Sequence, residues 1–184
     1  MTTDKQTRVA VLLGSTRAGS LNRRIAEHLR DHAPAGVTVD VVEGLDAVPF
    51  YNEEIDGETA PASATALRDS VAAADRVLAV TPEYNGTMPA VLNNAIDWLS
   101  RPYGQGAIVG KPFAAIGATP TPYGGKWSHE HARHSATIAG AVVVEGIVVD
   151  ESAVAGDPLQ DEAAVQRLLG ALDDLVAHEV ETAA

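Results

Sequence analysis

The pattern that most constrains this chain is a fivefold alternation of short apolar runs with longer amphipathic segments. The apolar runs are residues 9–13 (Val-Ala-Val-Leu-Leu), 37–42, 76–80, 113–117 and 141–149. Continuous runs of that length suit strands buried on both faces. Helical spacing is predicted over residues 21–32 and 62–74, over a segment following Thr87, and over residues 127–139 and 161–182. Ser20 and Thr87 stand where N-caps belong, and Pro89 falls in a first turn, where a missing N–H is harmless. In that third helix Met88, Val91, Leu92, Ala95, Ile96 and Leu99 share one face, with Trp98 off the stripe. In the last, Val165, Leu168, Leu169, Leu172, Leu175 and Val176 do the same. Residues 43–60, rich in Gly, Asp, Glu and Pro, read as a long loop.

Strands that alternate with helices build βαβ units, hence a parallel sheet with helices on both faces and right-handed crossovers. Five strands fit an α/β, flavodoxin-like, doubly wound sheet in the order 2-1-3-4-5, a three-layer sandwich. The six-strand dinucleotide fold needs one strand more. Residues 1–184 are expected to form a single domain with its core over about 8–182, without internal repeats.

Composition narrows the chemistry. There is no cysteine, which removes disulfides, thiolate metal sites and a cysteine nucleophile. Thirteen Lys and Arg against 25 Asp and Glu give a net charge of −12. Nucleic-acid binding needs a basic stripe, and none is present, so a small-molecule partner is expected. No apolar run approaches the roughly 18 residues that span a bilayer. The polar stretch 1–8 is followed by an apolar run too short for a signal peptide, so no membrane association and a cytoplasmic location are expected.

In a sheet of this kind ligands bind beyond the carboxyl ends of the strands, where the strand order reverses. The loops after strands 1, 3 and 4 are therefore the candidates. The first is Gly14-Ser15-Thr16-Arg17-Ala18-Gly19-Ser20-Leu21-Asn22. A helix start with free N–H groups, hydroxyls, Asn22 and Arg17 suits an anion; the same residues also suit a plain tight turn capped by Ser20. Gly14 and Gly19 are spaced as in a P-loop, but Ser20-Leu21 replaces its Lys-[Ser/Thr], and there is no Gly-x-Gly-x-x-Gly. The second loop, Thr81-Pro82-Glu83-Tyr84-Asn85-Gly86-Thr87-Met88-Pro89, offers an aromatic ring, an amide and backbone donors.

The pairing of Gly-Ser-Thr-Arg-x-x-Ser-x-Asn with Pro-Glu-Tyr-Asn-x-Thr-x-Pro, followed by Leu92-Asn93-Asn94-Ala95-Ile96-Asp97-Trp98, resembles the NADPH-dependent FMN reductase family. That family includes flavodoxin-like quinone, chromate and azo-dye reductases. The resemblance implies that Ser15, Arg17, Ser20, Leu21 and Asn22 hold the FMN phosphate. It implies that Pro82, Glu83, Tyr84 and Asn85, with Gly86 and Thr87, line the ring, and that Thr119 and Gly124 of the Gly124-Gly125 pair complete the third loop. The family commonly has Ser where Thr87 stands, and the two prolines at 120 and 122 set the third loop apart.

Its activity would be hydride transfer from NADPH or NADH, through FMN, to a small acceptor such as a quinone, free flavin, chromate or azo compound. The flavin does the chemistry, so no catalytic side chain is assigned. A homodimer or homotetramer is implied, with the Asn, Asp and Trp edge of the third helix as its contact. The rival readings are a single-electron carrier and a flavin-binding sensor without turnover.

Two sets of residues invite other readings. His129, His131 and His134 beside Glu130 resemble a metal cluster, but the spacing is not His-Glu-x-x-His, and no metal site is assigned. Trp127 is either packing or a wall of the acceptor pocket. Arg17, Arg23, Arg24, Arg101, Lys111, Lys126 and Arg133 are expected in or near the site loops, offsetting the acidic surface for anionic ligands.

Overall fold

A computed structural model describes residues 6–179. The strands are β1 (Thr7–Leu13), β2 (Val37–Val42), β3 (Arg76–Val80), β4 (Pro112–Thr119), β5 (Val142–Val143) and β6 (Val149–Ser152). The helices are α1 (Leu21–Asp31), α2 (Ala62–Ala72), α3 (Ala90–Leu99), α4 (Lys126–Ile138) and α5 (Glu162–Ala177). The sheet runs β2-β1-β3-β4-β5 and every pairing is parallel, which is the flavodoxin-like order. Among the described residues no helix is long and apolar enough to cross a membrane.

The outermost position differs from the expected single strand over 141–149. Two short strands share it: β5 pairs with Pro112 and Phe113, and β6 pairs with Ile116 to Thr119. Between them the chain turns, with Ile147 N–H donating to the Val144 carbonyl. Residues 150–152, beyond the expected strand, therefore carry the ladder at the end of β4 nearest the site.

Alternation along the strands divides the apolar side chains between two layers. Ala10, Leu12, Val77, Ala79 and Phe113 pack with α2, α3 and α4. Val9, Val11, Leu78, Val80 and Ile116 pack with α1 and α5. Helix α5 begins where Asp161 accepts from Ala163 N–H, and ends at Ala177 rather than 182. There Arg76 donates to the Leu175 and His178 carbonyls, satisfying acceptors that a longer helix would have used internally. Residues 180–182 of the expected helix lie outside the described residues.

The long loop 43–60 is fastened rather than loose, and Trp98 does much of the fastening. Although off the apolar stripe, it is fully buried in the core and donates from Nε1 to the Pro49 carbonyl at 2.8 Å. Asn94 accepts from Tyr51 N–H and donates to the Val48 and Pro49 carbonyls. Two side chains of the edge expected to meet a second subunit are therefore committed within the chain; Asn93 and Asp97 remain exposed. Arg68 lies 5.0 Å from the Trp98 ring centroid and grips Asp56 with two bonds of 2.7 and 2.9 Å.

That grip, helped by Gly57 N–H, holds the Asp56 carboxyl at about 2, below its ordinary 3.8. A depressed carboxylate contributes stability above its unfolded value and loses it as pH falls through the folded one. Asp56→Asn is expected to lower unfolding free energy by about 1–2 kcal/mol at neutral pH. Denaturant titrations across pH should show the difference from wild type shrinking between 3.8 and about 2.

Candidate functional site

Three strand ends converge on Thr81. Its N–H donates to the Ile116 carbonyl, and the neighbouring Gly14 N–H donates to Val80. A Cβ on Gly14 would collide with the Thr81 hydroxyl, and one on Gly117 with the Thr81 carbonyl. Glycine is needed at both positions for β1 and β4 to approach this closely. The loops after β1, β3 and β4 consequently leave the same end of the sheet side by side, and the residues predicted for the site lie on them or, for Leu21, Asn22 and Thr119, on the start of α1 and the end of β4 that flank them.

The first loop presents a set of unclaimed donors at the start of α1. Ser20 caps α1 by accepting from Arg23 N–H, and its own N–H closes a turn onto the Arg17 carbonyl. Among the described residues, no group accepts from the backbone N–H groups of Thr16, Arg17, Ala18 or Gly19. The first turn of α1 holds no acidic residue. Ser15 is buried beneath the loop, Arg17 is exposed above it, and Leu21 packs half-buried against the core. Donors without acceptors at the positive end of a helix are the composition of a phosphate site.

Asn22 behaves differently from the expected phosphate donor. Its amide oxygen accepts from Ala118 N–H and its amide nitrogen donates to the Ala118 carbonyl, each at 2.9 Å. The buried side chain thus acts as an extra strand residue, locking α1 to the end of β4.

The second loop is not a helix cap. Tyr84 and Thr87 exchange backbone hydrogen bonds of 3.0 and 3.1 Å, with Asn85 at φ 54° and Gly86 at φ 71°. This is a two-residue hairpin of type I′, for which Asn-Gly is the favoured pair. Helix α3 therefore starts later, at Ala90, behind Pro89. Pro82 is half-buried, Tyr84 is half-exposed at the rim, and the N–H groups of Asn85 and Gly86 are not used within the loop. The Glu83 carboxylate turns away and accepts from the N–H groups of Trp127 and Ser128, capping α4 from 44 residues upstream. Ser128 Oγ adds a 2.8 Å bond to the Pro82 carbonyl.

The third loop begins at buried Thr119, whose hydroxyl meets that of Thr121 at 2.9 Å. Gly124 and Gly125, at φ 65° and 98°, turn the chain into α4 beneath it. Tyr123 and Trp127 form an exposed tilted ring pair, centroids 4.7 Å apart, beside the Glu83 cap.

The three histidines of α4 point to different partners. His129 is buried against Asp150 and Thr81, His131 meets the Thr87 hydroxyl at 2.8 Å, and His134 is exposed. Among the described residues no group of three His, Asp or Glu side chains could hold a metal ion.

Of the expected cations, Arg17, Arg23 and Lys126 lie on the site loops or the helix starts that follow them, but all except Arg17 are engaged with other groups of the protein. Arg23 pairs with Glu43, Arg24 with Asp157, and Lys126 lies 3.8 Å from Glu130. Arg101 sits over the Tyr51 ring, Arg133 reaches the Ala115 carbonyl, and Lys111 bonds to Ala72 and Ala74 before β4, at the opposite end of the sheet. Arg17 is the cation on the three loops for which the described residues supply no carboxylate.

The capping by Glu83 and the bridges made by Asn22, His129 and Asp150 were not apparent in the sequence. The Asn85-Gly86 pair was a readable hairpin signal.

Residues 7–155 match the NADPH-dependent FMN reductase family. A quinone reductase of Pseudomonas putida is 43% identical over 127 residues, 69% of this chain and 68% of that protein. A 2-hydroxy-1,4-benzoquinone reductase of a Burkholderia species is 40% identical over 126 residues, 68% of each. The structure of FerB, a flavoenzyme NAD(P)H:(acceptor) oxidoreductase from Paracoccus denitrificans, superposes with a TM-score of 0.81 at 32% identity. It covers 92% of this chain and 95% of FerB.

Replacing Asn22 by Leu strands the buried N–H and carbonyl of Ala118. Denaturant unfolding is expected to show a loss of about 2–4 kcal/mol, more than one hydrogen bond ordinarily contributes.

Proposed function

This chain belongs to the NADPH-dependent FMN reductase family, and from that premise we propose how its three loops serve the reduction of a quinone-type acceptor. The chain is an FMN-dependent NAD(P)H oxidoreductase. The observation that carries the assignment of its loops is the cradle at the start of α1, with unclaimed N–H donors, Ser15, Ser20 and Arg17 and no acid in the turn. That donor set fits the phosphate of FMN.

FMN, when bound, supplies the two-electron chemistry between NAD(P)H and the acceptor. The protein's part is binding and orientation. Ser15, Ser20, Arg17 and the N–H groups of residues 16–19 would hold the phosphate, with Leu21 as apolar backing. Asn22 serves that cradle indirectly, by fixing α1 on β4. Pro82 to Thr87 would line the ring, Asn85 and Gly86 facing it with N–H donors that favour negative charge there. Glu83 holds this loop against α4, and Thr119 and Gly124 would close the opposite side. No side chain is required as acid or base. The quinone-type acceptor is supported by the relatives named for quinone reduction.

The same reading makes residues 1–184 one domain, working as a cytoplasmic homodimer or homotetramer. The family resemblance supports the assembly, and NAD(P)H as reductant supports the location.

Arg17→Ala removes the charged clamp while leaving the hydrogen bonds that build the fold. Titration of FMN fluorescence is expected to show binding weakened about tenfold or more. Steady-state kinetics of the wild type with NAD(P)H and a benzoquinone should give parallel lines, the ping-pong pattern of two substrates occupying one site in turn. Unchanged FMN affinity in the variant would remove the phosphate from this loop.

A further inference from the structure

Among the described residues His129 is the one fully buried imidazole, and nothing in the reduction chemistry uses it. It lies in the first turn of α4. Both ring nitrogens face oxygen: Nδ1 is 2.5 Å from Asp150 Oδ1, and Nε2 is 3.2 Å from the Thr81 carbonyl. An ionised carboxylate and a carbonyl are both acceptors, whereas a neutral imidazole has a single N–H to give. A neutral ring would therefore satisfy one neighbour and turn a lone pair on the other. The surroundings offer no substitute donor. Gly117 and Gly125 press against the ring, and a Cβ on either would stand within 3.1 Å of its atoms.

The other charged side chains on the packed elements are engaged elsewhere. Glu83 caps the α4 N-terminus and Arg133, one turn along, reaches the Ala115 carbonyl. Asp150 on β6 is the charge that the ring meets.

We propose that His129 is a positioning residue for the cofactor loops, held as an imidazolium that gives one N–H to Asp150 and the other to the Thr81 carbonyl. The inference rests on the assignment of Pro82 to Thr87 to the flavin ring. Thr81 is the residue from which that loop departs. Its N–H stays in the sheet with Ile116, but β3 has ended and its carbonyl has left the ladder. His129 takes that carbonyl, and Ser128 takes the next one, at Pro82. Two consecutive residues of α4 thus fix two consecutive peptide planes at the root of the loop. Asp150, reached from β6, holds the ring in the orientation this requires and offsets its charge at the positive end of the helix.

The decisive measurement is nitrogen NMR of histidine-labelled protein at neutral pH, with and without FMN. The expected spectrum contains one ring with two nitrogen-bound protons that disappears in His129→Gln; a singly protonated His129 ring overturns the proposal. FMN titration supplies the second readout. His129→Leu should bind FMN about tenfold more weakly, whereas His129→Gln, which keeps a donor for Thr81, should stay within about threefold of wild type. Equal affinity in all three, or equal loss in both variants, overturns the positioning role.

Where His129→Leu does not fold, Asp150→Asn decides. It is expected to leave His129 with one ring proton and FMN affinity within about threefold, since the new side-chain amide can donate to Nδ1 and leave Nε2–H on Thr81. A ring that keeps both protons in that variant contradicts the pairing. If wild-type protein fails to bind FMN, the functional reading falls and the positioning role with it. The ring protonation of the FMN-free protein still reports on the imidazolium independently.

Discussion

The crowding at Thr81 is the constraint on which the rest of the site depends. Parallel strands normally diverge into independent loops, but here β1 and β4 close on the end of β3 because Gly14 and Gly117 have no side chain to intervene. Once that approach is made, polar groups at the strand ends are cut off from water and must find partners inside. Asn22 answers for Ala118, Ile116 for the Thr81 N–H, and His129 for the Thr81 carbonyl. The site loops are therefore held by hydrogen bonds between neighbouring loops rather than by their own turns alone.

This arrangement separates the residues that build the site from those that face a ligand. Asn22, Glu83, Ser128 and His129 spend their polar atoms on the protein. Arg17 and the N–H groups around it do not. A loop with unspent donors beside a hydrogen-bonded frame is the kind of electrostatic preorganisation on which anion binding draws. The cations elsewhere follow the same logic, since Arg23, Arg24 and Arg68 are each tied to a carboxylate. The protein's large negative charge thus coexists with a locally positive loop.

The fold was legible in the sequence because buried parallel strands read as unbroken apolar runs and each crossover helix carries its own cap or breaker. The boundaries of β2 and β3 could be placed to the residue. What the pattern missed were tertiary effects. The run 141–149 is largely apolar, yet a turn near Gly146 divides its pairing with β4 between two strands. Trp98 looked marginal on the helical wheel because its partner, the Pro49 carbonyl, lies in a loop with no periodicity. At the site, the three loops and the exposed Arg17 could be placed from local chemistry. The turn of Glu83 onto α4 and the burial of His129 were not, because each depends on a partner in another element that only folding brings near.

The most direct test of this account is an anaerobic absorption experiment on protein loaded with FMN and desalted. The account predicts that the visible flavin band bleaches on addition of NADPH or NADH, then returns as a benzoquinone is converted to its quinol in equal amount. Retained flavin that neither nucleotide bleaches, or a protein that binds no FMN at saturating concentration, would contradict it.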